Sequence, residues 1–381
     1  MSNGFDVLPE RFLTWAEVDL QGVRHNAAQI ARRLNRDTKF FAVIKADAYG
    51  HGAVAVAQAL ADSGISMFCV ARVEEALELR DYGIAGPILV MGPPLEAQAR
   101  VAVEAELDIV ICGEKHLAWM KAAAQAAGKN CRVHLNVDFG MGRLGCLPGD
   151  APGLARQIAG LGPEVEFAGV MSHFPCADCE GDPSTEIMIR NFAGLREEIR
   201  GLGIPVPPFH ISNTAGLLRF PGAQFDAVRS GIALYGQYPS VSMERNADLI
   251  PAMTLKSRVV FLKEVGAGTP ISYGGTYVTS RRTRLATIPM GYADGFPRAA
   301  SNRSEMIVRG QLARQIGRVC MDLLVLDVTD IPGVEVGNEV VAFGRSESLI
   351  LAAEDVAARY DSLGYELTTR LGKRVPRVYG K

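Results

Sequence analysis

Lys45 follows the apolar run FFAVI and precedes ADAYGHG, so its ammonium group stands at the end of a hydrophobic segment. Lysine is among the residues least often buried. Burial among apolar neighbours lowers the pKa of an amine and frees it to act as a nucleophile or Schiff-base former. The plain alternative is a stem lying along apolar surface with its charge in water. Other polar residues end or interrupt later apolar runs in the same manner: Arg143 after RVHLNVD, His173 in VEFAGVMSHF, Asn213 and Thr214 after PPFHIS, and Arg229 in FDAVRSGI. Taken singly, His173 reads as a hydrogen-bonded core residue and Arg229 as an ion-pair partner. Two further motifs carry less. GMGRLG at 140–145 matches a dinucleotide fingerprint, but the CLPGDAPG that follows has two prolines and two glycines where a helix should open, so the glycines read as a tight turn allowing close backbone approach. Cys176 and Cys179 lack the second half of a metal site and read as two thiols on a surface loop, with redox behaviour as a minor alternative; no metal is expected.

The elements that must position these residues follow from periodicity. From residue 38 to about 235, short β-branched runs (TKFFAVIKA, MFCVA, PILVMG, DIVIC, RVHLNVD, VEFAGVMSHF, PPFHIS, FDAVRSGI) alternate with amphipathic helical stretches, the pattern of a parallel sheet with crossover helices. Eight such βα units are the number that closes a barrel. All strand C-termini of a parallel barrel open on one face, so Lys45, Arg143, His173, Thr214 and Arg229 converge on one pocket. Thr214 and Ser230-Gly231-Ile232 fall where such barrels commonly bind phosphate. A strand-end lysine beside a phosphate site suggests pyridoxal phosphate.

After Tyr235 the texture changes to alternating segments separated by turn signals, which predicts an antiparallel β domain. The fold class is therefore α/β: a (β/α)8 TIM-type barrel over 14–245, followed by a mainly antiparallel β domain over 246–381. AAEDVAARYDSLG reads as a last helix and YELTTRLGKRVPRVYG as a final strand.

Composition bounds the rest. The 381 residues are 48% hydrophobic and 22% charged, with 40 Lys+Arg against 42 Asp+Glu and a formal net charge of −2. A balance so near neutrality favours a small substrate over nucleic acid or a membrane surface. The N-terminus lacks a secretory pattern, and seven scattered cysteines fit free thiols in the cytoplasm.

In motif order and content the chain resembles the bacterial alanine racemases over essentially its whole length. AVIKADAYGHG is similar to the family's cofactor-lysine segment, HLNVDFGMGRLG to its substrate-arginine segment, and VMSHF, HISNTAG and VRSGIALYG to its barrel motifs. IPMGYADG, GRVCMD and GYELTTRLGKRVPRVY resemble those of its β domain. The resemblance implies that the first strand, near 14–20, pairs with the β domain. It also implies that Lys45 forms the Schiff base with pyridoxal 5'-phosphate, that Tyr49, Thr214, Gly231, Ile232 and Tyr365 hold the phosphate, and that Arg229 faces the pyridine nitrogen. An arginine there leaves the ring nitrogen largely unprotonated, which curbs side reactions.

Racemisation removes the Cα proton from one face and returns it to the other, so two acid/base groups are the economical solution. The resemblance assigns them to Lys45 and Tyr292, and places Tyr292 in the barrel of the other subunit of a homodimer. A tyrosine working as a base near pH 8 needs its pKa lowered by about 2 units, roughly 3 kcal/mol, which a hydrogen-bonded chain through His173 to Arg229 is implied to supply. Arg143 and the backbone of Met321 are implied to bind the substrate carboxylate, Tyr273 and Tyr277 to line the entrance, and Asp322 to orient Arg143. Without the resemblance, Tyr292 is a turn-flanking aromatic and Met321 ordinary core.

Two positions depart from the family: Asn136 stands where many members have a lysine, often carbamylated, and Leu323 stands where CMDQ is usual. The expected activity is interconversion of L- and D-alanine, for peptidoglycan or alanine catabolism. The alternatives are a racemase of serine, lysine or a broad set, a barrel-type decarboxylase, and a non-catalytic pyridoxal phosphate-binding protein. One methylene in a pocket is worth about 1–3 kcal/mol, too little to separate the substrates by inspection.

Overall fold

The computed structural model of the chain describes residues 11–380. The first ten residues, on which most of the reading against secretion rests, and Lys381 lie outside the described residues.

Eight parallel strands close around one core: Lys39–Val43, Met67–Val70, Ile88–Val90, Asp108–Ile111, Cys131–Asn136, Val165–Met171, Phe209–His210 and Ala227–Ser230. The first seven pair each with the next, and the eighth pairs with the first in the register Phe41↔Arg229. Two backbone hydrogen bonds bridge the remaining seam, Asp226 N–H to Phe209 O at 3.0 Å and Arg229 N–H to Ser212 O at 2.9 Å. Strands such as Met67–Val70 and Ile88–Val90 are buried at every residue, because helices cover their outer face and side chains fill the interior. The covering helices include Val73–Asp81, Glu96–Glu104, Glu114–Ala127, Ala151–Ala159 and Ser184–Gly201.

The second unit is a sheet of ten strands, antiparallel except where Thr14–Asp19 runs parallel to Arg377–Gly380. Thr14–Asp19 also pairs antiparallel with Met253–Arg258. At its end Asp19 accepts a hydrogen bond from Gly22 N–H at 2.9 Å and caps the helix Leu20–Ala31, whose apolar face packs on the barrel. One residue thus turns the chain from the sheet into the barrel.

The reading of 365–380 as one strand is corrected. Gly364–Thr369 is helical, and only Arg377–Gly380 pairs. Buried Leu367 and Leu371, four residues apart, carry the helical period that the β-like flank VPRVYG obscured. Cys176 and Cys179 are likewise not free thiols. A turn closed by Cys179 N–H to Cys176 O at 3.0 Å brings them together as a disulfide, while Cys69, Cys112, Cys131, Cys146 and Cys320 remain thiols.

His51 lies under the barrel mouth, stacked on Tyr235 with ring centroids 4.4 Å apart. Its Nδ1–H donates to Ala48 O and Tyr49 O, and its buried Nε2 has no partner among the described residues. Burial first, offset in part by those two bonds, lowers its pKa to about 4. The unfolded chain titrates near 6.5 and binds the proton more readily, so this contribution to stability is present above pH 6.5 and is lost as pH falls toward 4. The loss is roughly 3 kcal/mol. Urea unfolding from pH 7 to 4 should show it, and His51→Phe should flatten the profile by about that amount; an equally steep profile in the variant would remove His51 as its source.

Candidate active site

Lys45 stands two residues past the end of the first barrel strand and opens onto a cavity of about 330 Å³ at the C-terminal mouth. Burial is the largest influence on its amine, followed by the charge of Arg143; the pKa is lowered. The next four residues, Ala46, Asp47, Ala48 and Tyr49, have φ between 51° and 54° and form a left-handed turn. For L-residues this costs about 1–2 kcal/mol each, so the surroundings must impose it. Glu75 accepts from Ala46 N–H at 2.6 Å, and Asp47 accepts from Ala53 N–H at 2.7 Å. Gly50 ends the turn at φ 85°, where a Cβ would strike Thr368 O, and Arg377 Nε–H donates to Gly50 O at 2.8 Å. The turn carries Tyr49 to the cavity wall opposite Gly231, at which a Cβ would lie 2.5 Å from the Tyr49 hydroxyl.

Thr214, Gly231, Ile232 and Tyr365 complete this end of the cavity. The Thr214 hydroxyl lies 2.9 Å from the Ser230 hydroxyl and accepts from Gly231 N–H at 3.3 Å. Burial raises the pKa of both Tyr49 and Tyr365, so each keeps its proton as a donor.

Arg229 forms the floor. Its Nη1 donates to His210 Nδ1 at 2.8 Å and His210 O at 2.7 Å; its Nη2 donates to Ser172 O at 2.6 Å and faces His173 Nδ1 at 3.4 Å. It has no carboxylate partner among the described residues, contrary to the ion-pair reading. Burial lowers its pKa to about 10, which still leaves it charged at neutral pH. Burial, then the charges of Arg229, Arg143 and Lys45, bring His173 down to about 3, so that imidazole is neutral.

Arg143 and Asn136 line the far wall. Arg143 is placed by the GMGRLG turn: Gly145, at φ 123°, brings its backbone so near Asp138 N that a Cβ would sit 2.7 Å from it. Asp138 accepts from Gly140 and Gly142 N–H and fixes the turn. The close approach expected of these glycines is therefore to their own strand end.

The remaining candidates lie elsewhere on the chain. Tyr273, Met321 and Asp322 line a shallow cleft on the β domain, and Tyr292 N–H donates to Cys320 O beside it at 3.1 Å. Tyr292 is 43% exposed, Met321 53% and Tyr273 70%. Tyr277 pairs with Ile271 and packs under Arg314. Asp322 does not orient Arg143 within the chain: it is ion-paired with Arg374 at 2.9 Å, the nearby cation of the segment before the last strand. The chain of hydrogen bonds from Tyr292 is represented within the chain only by its His173–Arg229 end.

Sequence reading missed His210 and its neighbours His134 and Asp108. The signal was present, since both histidines interrupt otherwise apolar strands, HLN and FHIS, at inward positions.

A parallel barrel with a desolvated lysine at its mouth, joined to an antiparallel β domain, is the two-domain architecture of the amino acid racemases that this chain matches. Models of the alanine racemase N-terminal and C-terminal domains match residues 18–239 and 252–379. The chain is 40% identical over 366 residues to an alanine racemase of Halothermothrix orenii, covering 96% of each. It superposes on the alanine racemase of D-cycloserine-producing Streptomyces lavendulae with a TM-score of 0.91 at 39% identity, covering 97% of each chain. The Bacillus anthracis alanine racemase with bound L-Ala-P gives 0.88 at 33% identity, covering 97% of this chain and 95% of that one. The chain belongs to the alanine racemase family. No helix among the described residues is long and apolar enough to cross a membrane, and no group of residues there could hold a metal ion.

Proposed function

We propose that this chain racemises alanine with pyridoxal 5'-phosphate in the cavity at Lys45, as a homodimer in which the Tyr292 of a second copy completes each site. The single observation that carries the reading is the set of groups around that cavity: a desolvated amine at one wall, a buried guanidinium on the floor, and neutral donors gathered at one end.

These residues fit the cofactor. The hydroxyls of Tyr49, Thr214 and Tyr365 and the backbone at Gly231 and Ile232 suit a phosphate group, in a cradle that a side chain at 231 would fill. When bound, pyridoxal phosphate withdraws electrons from the amino acid joined to it and so acidifies the α-proton. Lys45 then takes or gives that proton on one face through its amine. The Tyr292 hydroxyl does so on the other. Arg229, charged and donating, would offer a hydrogen bond to the ring nitrogen without protonating it, and neutral His173 beside it links the floor toward the second base. Arg143 offers the substrate carboxylate a cation, with Met321 of the second copy opposite and Tyr273 and Tyr277 toward the entrance. The exposed Tyr292, Met321 and Tyr273 on one face of the β domain support this sharing, because apolar surface of that kind gains from being covered. Asn136, buried at 7% exposure, offers the arginine wall an amide in place of a charge. Thiols retained at five positions support action in the cytoplasm, where the product would serve peptidoglycan or alanine would be broken down.

Purified protein incubated with pyridoxal phosphate and L-alanine in D₂O tests the reading. Loss of the α-proton together with appearance of D-alanine is expected. Exchange without D-alanine would mean one-face chemistry, and no change in either signal would refute the alanine assignment.

A further inference from the structure

The barrel interior holds a line of polar groups that runs from the active-site floor to the opposite end. Arg229 Nη1 meets His210 Nδ1 at 2.8 Å, His210 Nε2 meets His134 Nδ1 at 3.0 Å, and His134 Nε2 meets Asp108 Oδ2 at 3.1 Å. Asp108 begins its strand and therefore lies at the N-terminal end of the barrel. Its other oxygen accepts from Arg132 Nε at 2.9 Å, and Arg132 also pairs with Glu166 at the solvent edge. Arg229, His210, His134 and Asp108 are all at most 3% exposed. Barrel interiors are normally filled by branched apolar side chains. The room is deliberate: Gly169, on the neighbouring strand, faces the His134 ring so closely that a Cβ there would overlap it.

Donor and acceptor chemistry fixes the protons. Guanidinium has no acceptor, so His210 Nδ1 must be bare and its proton must sit on Nε2. That proton points at His134 Nδ1, which must also be bare, and the second proton sits on Nε2 and needs an acceptor. Asp108 is that acceptor. Although burial alone would raise its pKa, the bonds from His134 and Arg132 hold it below the usual carboxylate range, so it is ionised and accepts only. Burial, then the charge of Arg229, pushes the His210 pKa far down, and the imidazole is neutral as the line requires.

We infer that Asp108 and His134 are positioning residues for Arg229: from the far end of the barrel they lock His210 in its Nε2–H form, which presents a bare nitrogen to the guanidinium and holds it flat on the active-site floor. Without Asp108, the His134 proton loses its acceptor and both rings are free to change tautomer. A proton on His210 Nδ1 would then confront the guanidinium donor and displace it. The inference rests on the proposed role of Arg229 in racemisation, but its first test needs no substrate.

Histidine-selective ¹⁵N NMR of the wild-type holoenzyme should show His134 and His210 as neutral Nε2–H tautomers. Finding His210 protonated at Nδ1, or doubly protonated, would overturn the inference without any variant. In Asp108→Leu, His210 should become a mixture of tautomers, with kcat for alanine falling roughly 10- to 100-fold, as when other functional histidines lose their carboxylate partner, and KM changing little. A fall in kcat with the His210 tautomer unchanged would overturn it too, because Asp108 would then support only the barrel. A wild-type protein that shows the expected tautomers yet racemises no alanine would refute the proposed function and leave the proton order of the line standing.

Discussion

Lys45→Ala is expected to abolish alanine racemisation, lowering kcat by more than about 10⁴-fold, the upper range for removal of a positioned acid or base. It should also eliminate the visible band of cofactor held covalently by the protein. Both effects follow from one amine, because among the described residues the cavity has no second lysine: its lining offers Arg143 and Arg229 as the other cations, and guanidinium is neither a practical base nor a Schiff-base former. The fold should survive, since the Lys45 side chain makes no hydrogen bond among the described residues and its burial disfavours its charge. A persistent covalent band in this variant would sink the assignment of Lys45.

Tyr292→Phe is expected to keep that band and lose racemisation by about 10²- to 10⁴-fold. The losses are not equivalent. With Lys45 intact, one enantiomer of alanine should still exchange its α-proton in D₂O while the other does not, whereas Lys45→Ala should stop both. Full activity in Tyr292→Phe would remove it as the second base. The two variants together also test the shared site. Tyr292 stands on the β domain, away from the cavity that holds Lys45 in the same chain. If each site takes its lysine from one subunit and its tyrosine from the other, a mixed dimer has one intact site and one doubly damaged site. Random re-association of equal amounts should then restore about a quarter of wild-type activity. No recovery from demonstrated mixed dimers would refute the sharing.

Much of this was legible in the sequence, for reasons that differ by element. The eight barrel strands were visible because each is a short apolar run, buried on both faces and bounded by helical spacing. Lys45, Arg143, His173, Thr214 and Arg229 share the cavity because strand ends of a parallel barrel share a face, whatever the residues are. The line from His210 through His134 to Asp108 was hidden, since a histidine in an apolar run reads the same whether it is a bystander or a link. The helix Gly364–Thr369 was misread because a single turn carries too few residues to show its period against a β-like flank. Nothing local signals the left-handed turn either: KADAYG has the composition of an ordinary helix, and its handedness is set by Glu75, Asp47 and Thr368.

That turn has a consequence for the order in which the protein becomes competent. Its residues are made long before Thr368, against which Gly50 packs, and Arg377, which holds the Gly50 carbonyl. Before they arrive, these contacts do not hold the segment after Lys45 in the left-handed region, which L-residues disfavour. The left-handed turn is what sets Tyr49 against Gly231. A chain that has the barrel strands but not yet the segment 364–380 lacks these contacts to Gly50. A product truncated before Arg377–Gly380 is therefore expected to lose the contact that holds the Gly50 carbonyl and, with it, the seating of Tyr49 against Gly231.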